Sequence, residues 1–171
     1  GYADFGSLVK FERTNAFSYG AWVKLNGDGA VLSKIEKSPG YRGFDLLAAE
    51  EHFQVHLINT WPDNALKVRT KDKVPKNQWL HVLATYDGSG KASGVKLYVN
   101  GRVRDLEVEN DRLTGLIAND EPVRIGTRNG ESNLRGSVDD VRFYQRALTV
   151  EDARTLTLNG YLPLIAKSRG N

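Results

Sequence analysis

Residues Trp79–Gly101 read WLHVLATYDGSGKASGVKLYVNG. Trp79–Asp87 is apolar at odd and even positions alike, the pattern of a strand covered on both faces. Val95–Val99 and Val103–Val108 flank Asn100-Gly101, and an Asn-Gly pair between alternating apolar runs is a strong signal for a tight hairpin.

The same grammar extends outward. Ala16–Leu25 (AFSYGAWVKL) is an aromatic-rich strand ending at Asn26-Gly27-Asp28-Gly29, and Ala30–Ile35 follows, so the NGDG tetrad is expected to be a hairpin turn. Gly43–Ala49, Phe53–Ile58 and Leu66–Thr70 are further strands, the last two joined by the loop Asn59–Ala65. Val123–Gly126 and Ser137–Tyr144 complete the set. Ten to twelve short strands at this spacing predict an all-β, antiparallel two-sheet β-sandwich. One short C-terminal helix is expected. Thr149-Val150-Glu151-Asp152 resembles a capping box with Asp in place of Glu, and Asn159-Gly160 offers a C-cap. Residues 1–160 are therefore read as one domain, and 161–171 (YLPLIAKSRGN) as a terminal strand or a linker to a following domain.

Composition agrees and excludes much. The chain has 171 residues, 24 Lys+Arg against 21 Asp+Glu, a net charge of +3, and neither Cys nor Met. The length suits one domain. Without Cys there is no disulfide, thiolate metal site or Cys nucleophile. A charge this mild, with no basic run, predicts no nucleic-acid partner. No stretch of about 18 apolar residues occurs, so no membrane insertion is expected. A Met-free chain starting at Gly1 reads as a module of a longer protein.

Three collinear segments are similar to one family. Ala16–Leu25 resembles the opening strand of laminin-G-like, concanavalin A-like jelly rolls. Trp79–Gly101 resembles that family's W-x-H-V…T-Y-D…L-Y-V-[DN]-G segment. Val123–Leu148 (VRIGTRNGESNLRGSVDDVRFYQRAL) resembles its I-G…G-x-[IV]-D-[DE]-V-R-[IFV]-Y-x-R-A-L ending. Tyr41–Thr70, with its HLINTWPDNALKV core, is further similar to modules inside large planctomycete-type proteins that carry cytochrome-c-like domains. The resemblance implies a jelly roll, an exported parent protein (extracellular, periplasmic or cell-surface), and neighbouring domains as partners. It does not imply one function, because lectins, glycanases and spacers share this fold. The resemblance also implies that the first acid of the D-D-V-R element helps hold a structural Ca²⁺. Asp139 shares parity with Val141 and Phe143, so it is expected to face the core. An ionised carboxylate there must be paired, hydrogen-bonded or metal-bound. Asp4, on an N-terminal segment expected beside the last strand, is the second candidate ligand. The metal-free alternative has Asp139 hydrogen-bonding loop backbone.

A ligand-binding face follows from parity. Phe53, Val55 and Leu57 point one way, leaving Gln54 and His56 on the other side. Leu66 and Val68 likewise leave Lys67 and Arg69 opposite, and Asp45 lies opposite Phe44 and Leu46. Adjacent strands would merge Asp45, Gln54, His56, Lys67 and Arg69 into one polar patch. Trp61, Asp63 and Asn64 on the connecting loop, with Tyr41 and Arg42 as the far wall, would complete an aromatic-walled glycan site. The alternative is that Trp61 folds back onto the sandwich. Lys67 and Arg69 would suit an acidic or sulfated polysaccharide. The leading expectation is a non-catalytic, lectin-like accessory module. A protein-interaction or spacer domain is the first rival. A glycanase is the second: Asp105, Glu107, Glu109 and Asp111 alternate on one strand, and Glu107 and Glu109 would be nucleophile and acid. His81, in a buried strand, is expected to be structural.

Overall fold

The computed structural model describes the backbone of residues 1–168 and the side-chain environments of residues 1–160. The strands are β1 Ala3–Asp4, β2 Phe17–Leu25, β3 Gly29–Ile35, β4 Gly43–Ala49, β5 His52–Thr60 and β6 Asn64–Thr70. They continue with β7 Trp79–Tyr86, β8 Val95–Val99, β9 Arg102–Val103, β10 Leu106–Asp111, β11 Arg124–Ile125 and β12 Gly136–Tyr144. One sheet has seven strands in the order β1-β11-β3-β4-β5-β6-β10; the other has five, β12-β2-β7-β8-β9, and every pairing is antiparallel. This is the two-sheet sandwich that the strand spacing predicts.

Alternation builds the core. Phe44, Leu46, Phe53, Val55, Leu57, Leu66 and Val68 from the larger sheet meet Phe17, Tyr19, Val23, Val82 and Leu97 from the smaller. An aromatic cluster sits at its centre, with Phe11 stacked on Phe17 at 4.3 Å between ring centroids and Tyr19 5.1 Å from Phe44. Burying each such side chain stabilises the fold by about 1.5–3 kcal/mol. Central strand β7 is covered on its second face too. There Leu83 packs with Tyr98, Leu148 and Ala153 under helix α1, Val150–Ser168.

The helix begins as the capping box requires. Thr149 N–H donates to Asp152 Oδ2 at 2.8 Å, and Asp152 N–H donates to Thr149 Oγ1 at 3.2 Å. It does not stop at Asn159-Gly160. Gly160 lacks the positive φ of a C-cap; it is instead a packing glycine, since a Cβ there would lie 2.0 Å from Trp22 Nε1. The helix therefore runs on to Ser168, where a strand or linker was expected, and residues 169–171 lie outside the described residues.

Three local expectations change. The NGDG tetrad is not a hairpin but a crossover, because β2 and β3 belong to different sheets. Its Gly29, at φ +144, lets the 132–134 segment approach: a Cβ would lie 2.4 Å from Leu134 Cα. The run Val103–Val108 splits. Its start stays in the smaller sheet as β9 behind the Asn100-Gly101 turn, and the rest crosses to the larger sheet as β10. Finally, β12 carries a bulge between Asp139 and Arg142, with Asp140 at φ +50. One extra residue inverts parity. Val138, Val141 and Phe143 thus pack on the core while Asp139 is exposed, opposite to its expected orientation.

Candidate functional site

The site forms on the outer face of the seven-stranded sheet. In register, Asp45 of β4 lies opposite His56 of β5, and His56 lies opposite Lys67 of β6; Gln54 lies opposite Arg69. Parity thus places all five on one face, as expected. The face then divides into a covered half and an open half.

In the covered half, Asp45 is fully buried. His56 Nδ1 lies 2.8 Å from its Oδ1. Arg128 Nε lies 3.2 Å from its Oδ2, close enough for an ion pair yet too poorly aligned for a hydrogen bond. A buried carboxylate is tolerated only with such partners. The backbone of Asp45 is fixed from across the core, where the Tyr19 hydroxyl donates to its carbonyl at 3.0 Å. Burial, and next the Asp45 charge, push the Tyr19 phenol well above its ordinary range, so it remains a donor.

Arg128 comes from the loop after β11. That loop is tied down by Ser33 Oγ donating to Thr127 O at 2.9 Å and Asn129 Nδ2 donating to Glu36 O at 3.1 Å. The Arg128 guanidinium lies 5.5 Å from the centre of the Tyr41 ring, a cation–π arrangement. Trp61 occupies the tip of the β5–β6 hairpin, edge-on to His56 at 5.5 Å. Its backbone N–H donates to Gly40 O at 3.0 Å, which draws the Tyr41 loop and the Trp61 tip together. Asn110 Nδ2 donates to Pro62 O at 2.7 Å and steadies the tip from the other side. Tyr41, His56, Trp61, Arg128, Glu131 and their neighbours enclose a pocket of about 360 Å³, within the range of small-molecule sites. Trp61 does not fold into the core; it is 36% exposed.

Several expected site residues do other work. Arg42 supplies a backbone carbonyl to Asn119 Nδ2 at 2.8 Å and is not among the pocket-lining residues; nor is exposed Asp63. Asn64 is consumed by the loop beyond β10, accepting from Thr114 and Gly115 N–H groups at 2.8 and 2.9 Å. Gln54 is buried beside the pocket without lining it. In the open half, Lys67 pairs with Glu109 at 2.5 Å, and Arg69 with Glu107 at 2.8 Å, Glu109 at 3.2 Å and Glu50 at 3.5 Å. The basic patch expected from Lys67 and Arg69 is therefore already neutralised.

Those pairs also occupy the carboxylates of the glycanase alternative. Glu107 and Glu109 lie on edge strand β10 against cations, whereas a general acid needs surroundings that favour its protonated form. The four-acid face breaks at a bulge between Val108 and Asn110. Asp111 falls opposite core-facing Leu66 and accepts from Ala92 N–H at 2.8 Å. The Asp4–Asp139 pair does not fit a shared Ca²⁺ site. Strand β1 pairs with β11, not with β12, and puts Asp4 opposite Arg124. Among the described residues, no group of three or more His, Asp or Glu is placed to hold a metal ion.

His81 is buried at 4% exposure between β7 and α1, with Nδ1 3.1 Å from Thr157 Oγ1. Burial lowers its pKa to about 4, keeping it neutral and structural. What sequence reading missed is the 126–133 loop: Arg128, Asn129, Glu131 and Ser132. Its trace was the Gly126…Asn129-Gly130 punctuation, with positive φ at all three positions.

Solved structures with this shape include the CBM40 of the Ruminococcus gnavus IT-sialidase bound to alpha2,3 sialyllactose. The TM-score is 0.66 at 19% identity, covering 84% of this chain and 83% of that one. The binding domain of botulinum neurotoxin DC in complex with SialylT gives a TM-score of 0.65 at 16% identity, covering 85% of this chain and 36% of that one. The binding domain of Paraclostridial Mosquitocidal Protein 1 gives 0.62 at 18%, covering 89% and 38%. The chain thus spans little more than a third of the length of these last two chains. A laminin G-type family model, described as the concanavalin A-like lectin/glucanases superfamily, matches residues 1–154. With nearly its whole length matched, the chain belongs to the concanavalin A-like lectin/glucanases superfamily.

Proposed function

We propose that the chain is a non-catalytic glycan-binding module of a larger exported protein. The observation that carries this reading is the pocket itself, where Tyr41 and Trp61 stand with the polar groups of His56 and Arg128, both held from behind by the buried Asp45 carboxylate. Sugars present C–H faces that lie on aromatic rings and hydroxyls that need fixed polar partners, and this pocket offers both. The likeness to a CBM40 bound to alpha2,3 sialyllactose and to a toxin domain in complex with SialylT supports the reading. The ion-paired state of Glu107 and Glu109 supports a module without glycanase chemistry.

A glycan array followed by affinity electrophoresis tests it. The expected result is binding to at least one glycan class, lost in Trp61→Ala while the melting temperature holds. Silence across the array, or full binding by Trp61→Ala, would overturn it. A second reading, docking to a protein or a neighbouring domain, draws support from Tyr2, Phe5 and Leu8, which are 64, 60 and 91% exposed around edge strand β1.

A further inference from the structure

We infer that the pocket selects uncharged glycans and discriminates against carboxylated or sulfated ones. This rests on the glycan-binding reading and names its ligand class. The inference comes from where the charges are spent. Among the described residues, Arg128 is the one Lys or Arg lining the pocket, and it is held between the buried Asp45 carboxylate and the Tyr41 ring. Glu131 lines the same pocket, and among the described residues no cation stands within ion-pair distance of it. Two other cations of the same sheet face, Lys67 and Arg69, are answered by the carboxylates of β10 and Glu50. An entering anion therefore finds no uncommitted positive charge among the residues that line the pocket and meets Glu131. Such like-charge juxtaposition is how binding sites reject wrong partners.

Hydrogen-bond chemistry points the same way. Beneath the lining, two buried atoms 3.2 Å apart are ion-paired but make no hydrogen bond: Asp45 Oδ2, which only accepts, and Arg128 Nε, which only donates. A sugar hydroxyl both donates and accepts, so it can answer both as Arg128 turns aside. A carboxylate or sulfate only accepts. It would satisfy Arg128 and leave Asp45 facing a second anion with its counter-charge divided.

The test is an array of matched neutral and acidic glycans, read for the wild-type chain, Glu131→Gln and Glu131→Lys. Glu131 is exposed, so neither substitution threatens the fold. The expected result is that neutral members bind and that an added carboxylate or sulfate weakens binding at least about tenfold. Glu131→Gln should narrow that ratio and Glu131→Lys narrow it further. Preference for the acidic member of a pair, or a ratio unmoved by Glu131→Lys, would overturn the inference and leave glycan binding standing. Silence across both classes would overturn the two together.

Discussion

Acidification should expose how firmly His81 is built into the sandwich. The imidazole lies between β7 and α1, 5.5 Å from the Trp22 ring and hydrogen-bonded to Thr157. Burial is the main reason its pKa falls from 6.5 to about 4; Asp140 pulls it up and Arg142 pushes it down. In the unfolded chain the ring takes a proton near pH 6.5, while in the folded chain it stays neutral until about pH 4. Over that interval the unfolded state binds more protons, so stability falls as pH falls. The full gap corresponds to roughly 3 kcal/mol, of which about 2.5 kcal/mol should be lost between about pH 7.5 and about pH 4.5. For a domain of this size that is a fall of about 5–10 °C in melting temperature from His81 alone. Other groups titrate there too, so the comparison is with His81→Gln, which keeps a polar partner for Thr157 and cannot titrate. Urea midpoints of the two proteins should converge as the pH drops. Curves that stay parallel across the whole range would refute the argument.

Three further outcomes follow from the ion pairs and caps. Thr149→Ala removes half of the capping box and should lower stability by about 1 kcal/mol in urea titration; an unchanged midpoint would contradict the helix start described. Arg128→Ala leaves the buried Asp45 carboxylate without its cation and should cost about 3 kcal/mol. Arg69→Ala, at the open half of the same face, should leave both the midpoint and glycan binding nearly unmoved; the reverse order would refute the division of that face. Because Asp4 and Asp139 sit in different sheets, melting curves with Ca²⁺ and with EDTA should superimpose; a Ca²⁺-dependent rise of several degrees would require a metal site elsewhere.

The outer face was readable in the sequence because β4, β5 and β6 keep a regular register through Asp45, His56 and Lys67; the irregularity in β5 comes only after them, between Ile58 and Thr60. Phe44/Leu46, Val55/Leu57 and Leu66/Val68 dictate where Asp45, His56 and Lys67 must point. Alternation failed where one residue was inserted: at the β12 bulge, which turned Asp139 outward, and at the β10 bulge, which separated Asp111 from Glu107. Turn chemistry failed at NGDG because a tight glycine turn serves a sheet crossover as readily as a hairpin. Here the deciding contact, Gly29 against Leu134, is over a hundred residues away in sequence. For the same reason Arg128 was invisible: nothing local links the loop after β11 to Asp45 on β4. The neutralised Lys67 and Arg69 needed the β6–β10 register, which depends on the crossover between β9 and β10.

The central claim is that sugar enters between Tyr41 and Trp61. The chain has three tryptophans, so its amide–proton NMR spectrum carries three indole N–H signals, from Trp22, Trp61 and Trp79. Trp61 lines the pocket; Trp22 lies buried against His81 and Gly160, and Trp79 begins β7 in the opposite sheet. Titration with the strongest neutral glycan from the array should move the Trp61 indole signal in a saturable way and leave the other two in place. A saturable shift of Trp22 or Trp79 with Trp61 unmoved would place the ligand elsewhere and contradict the account.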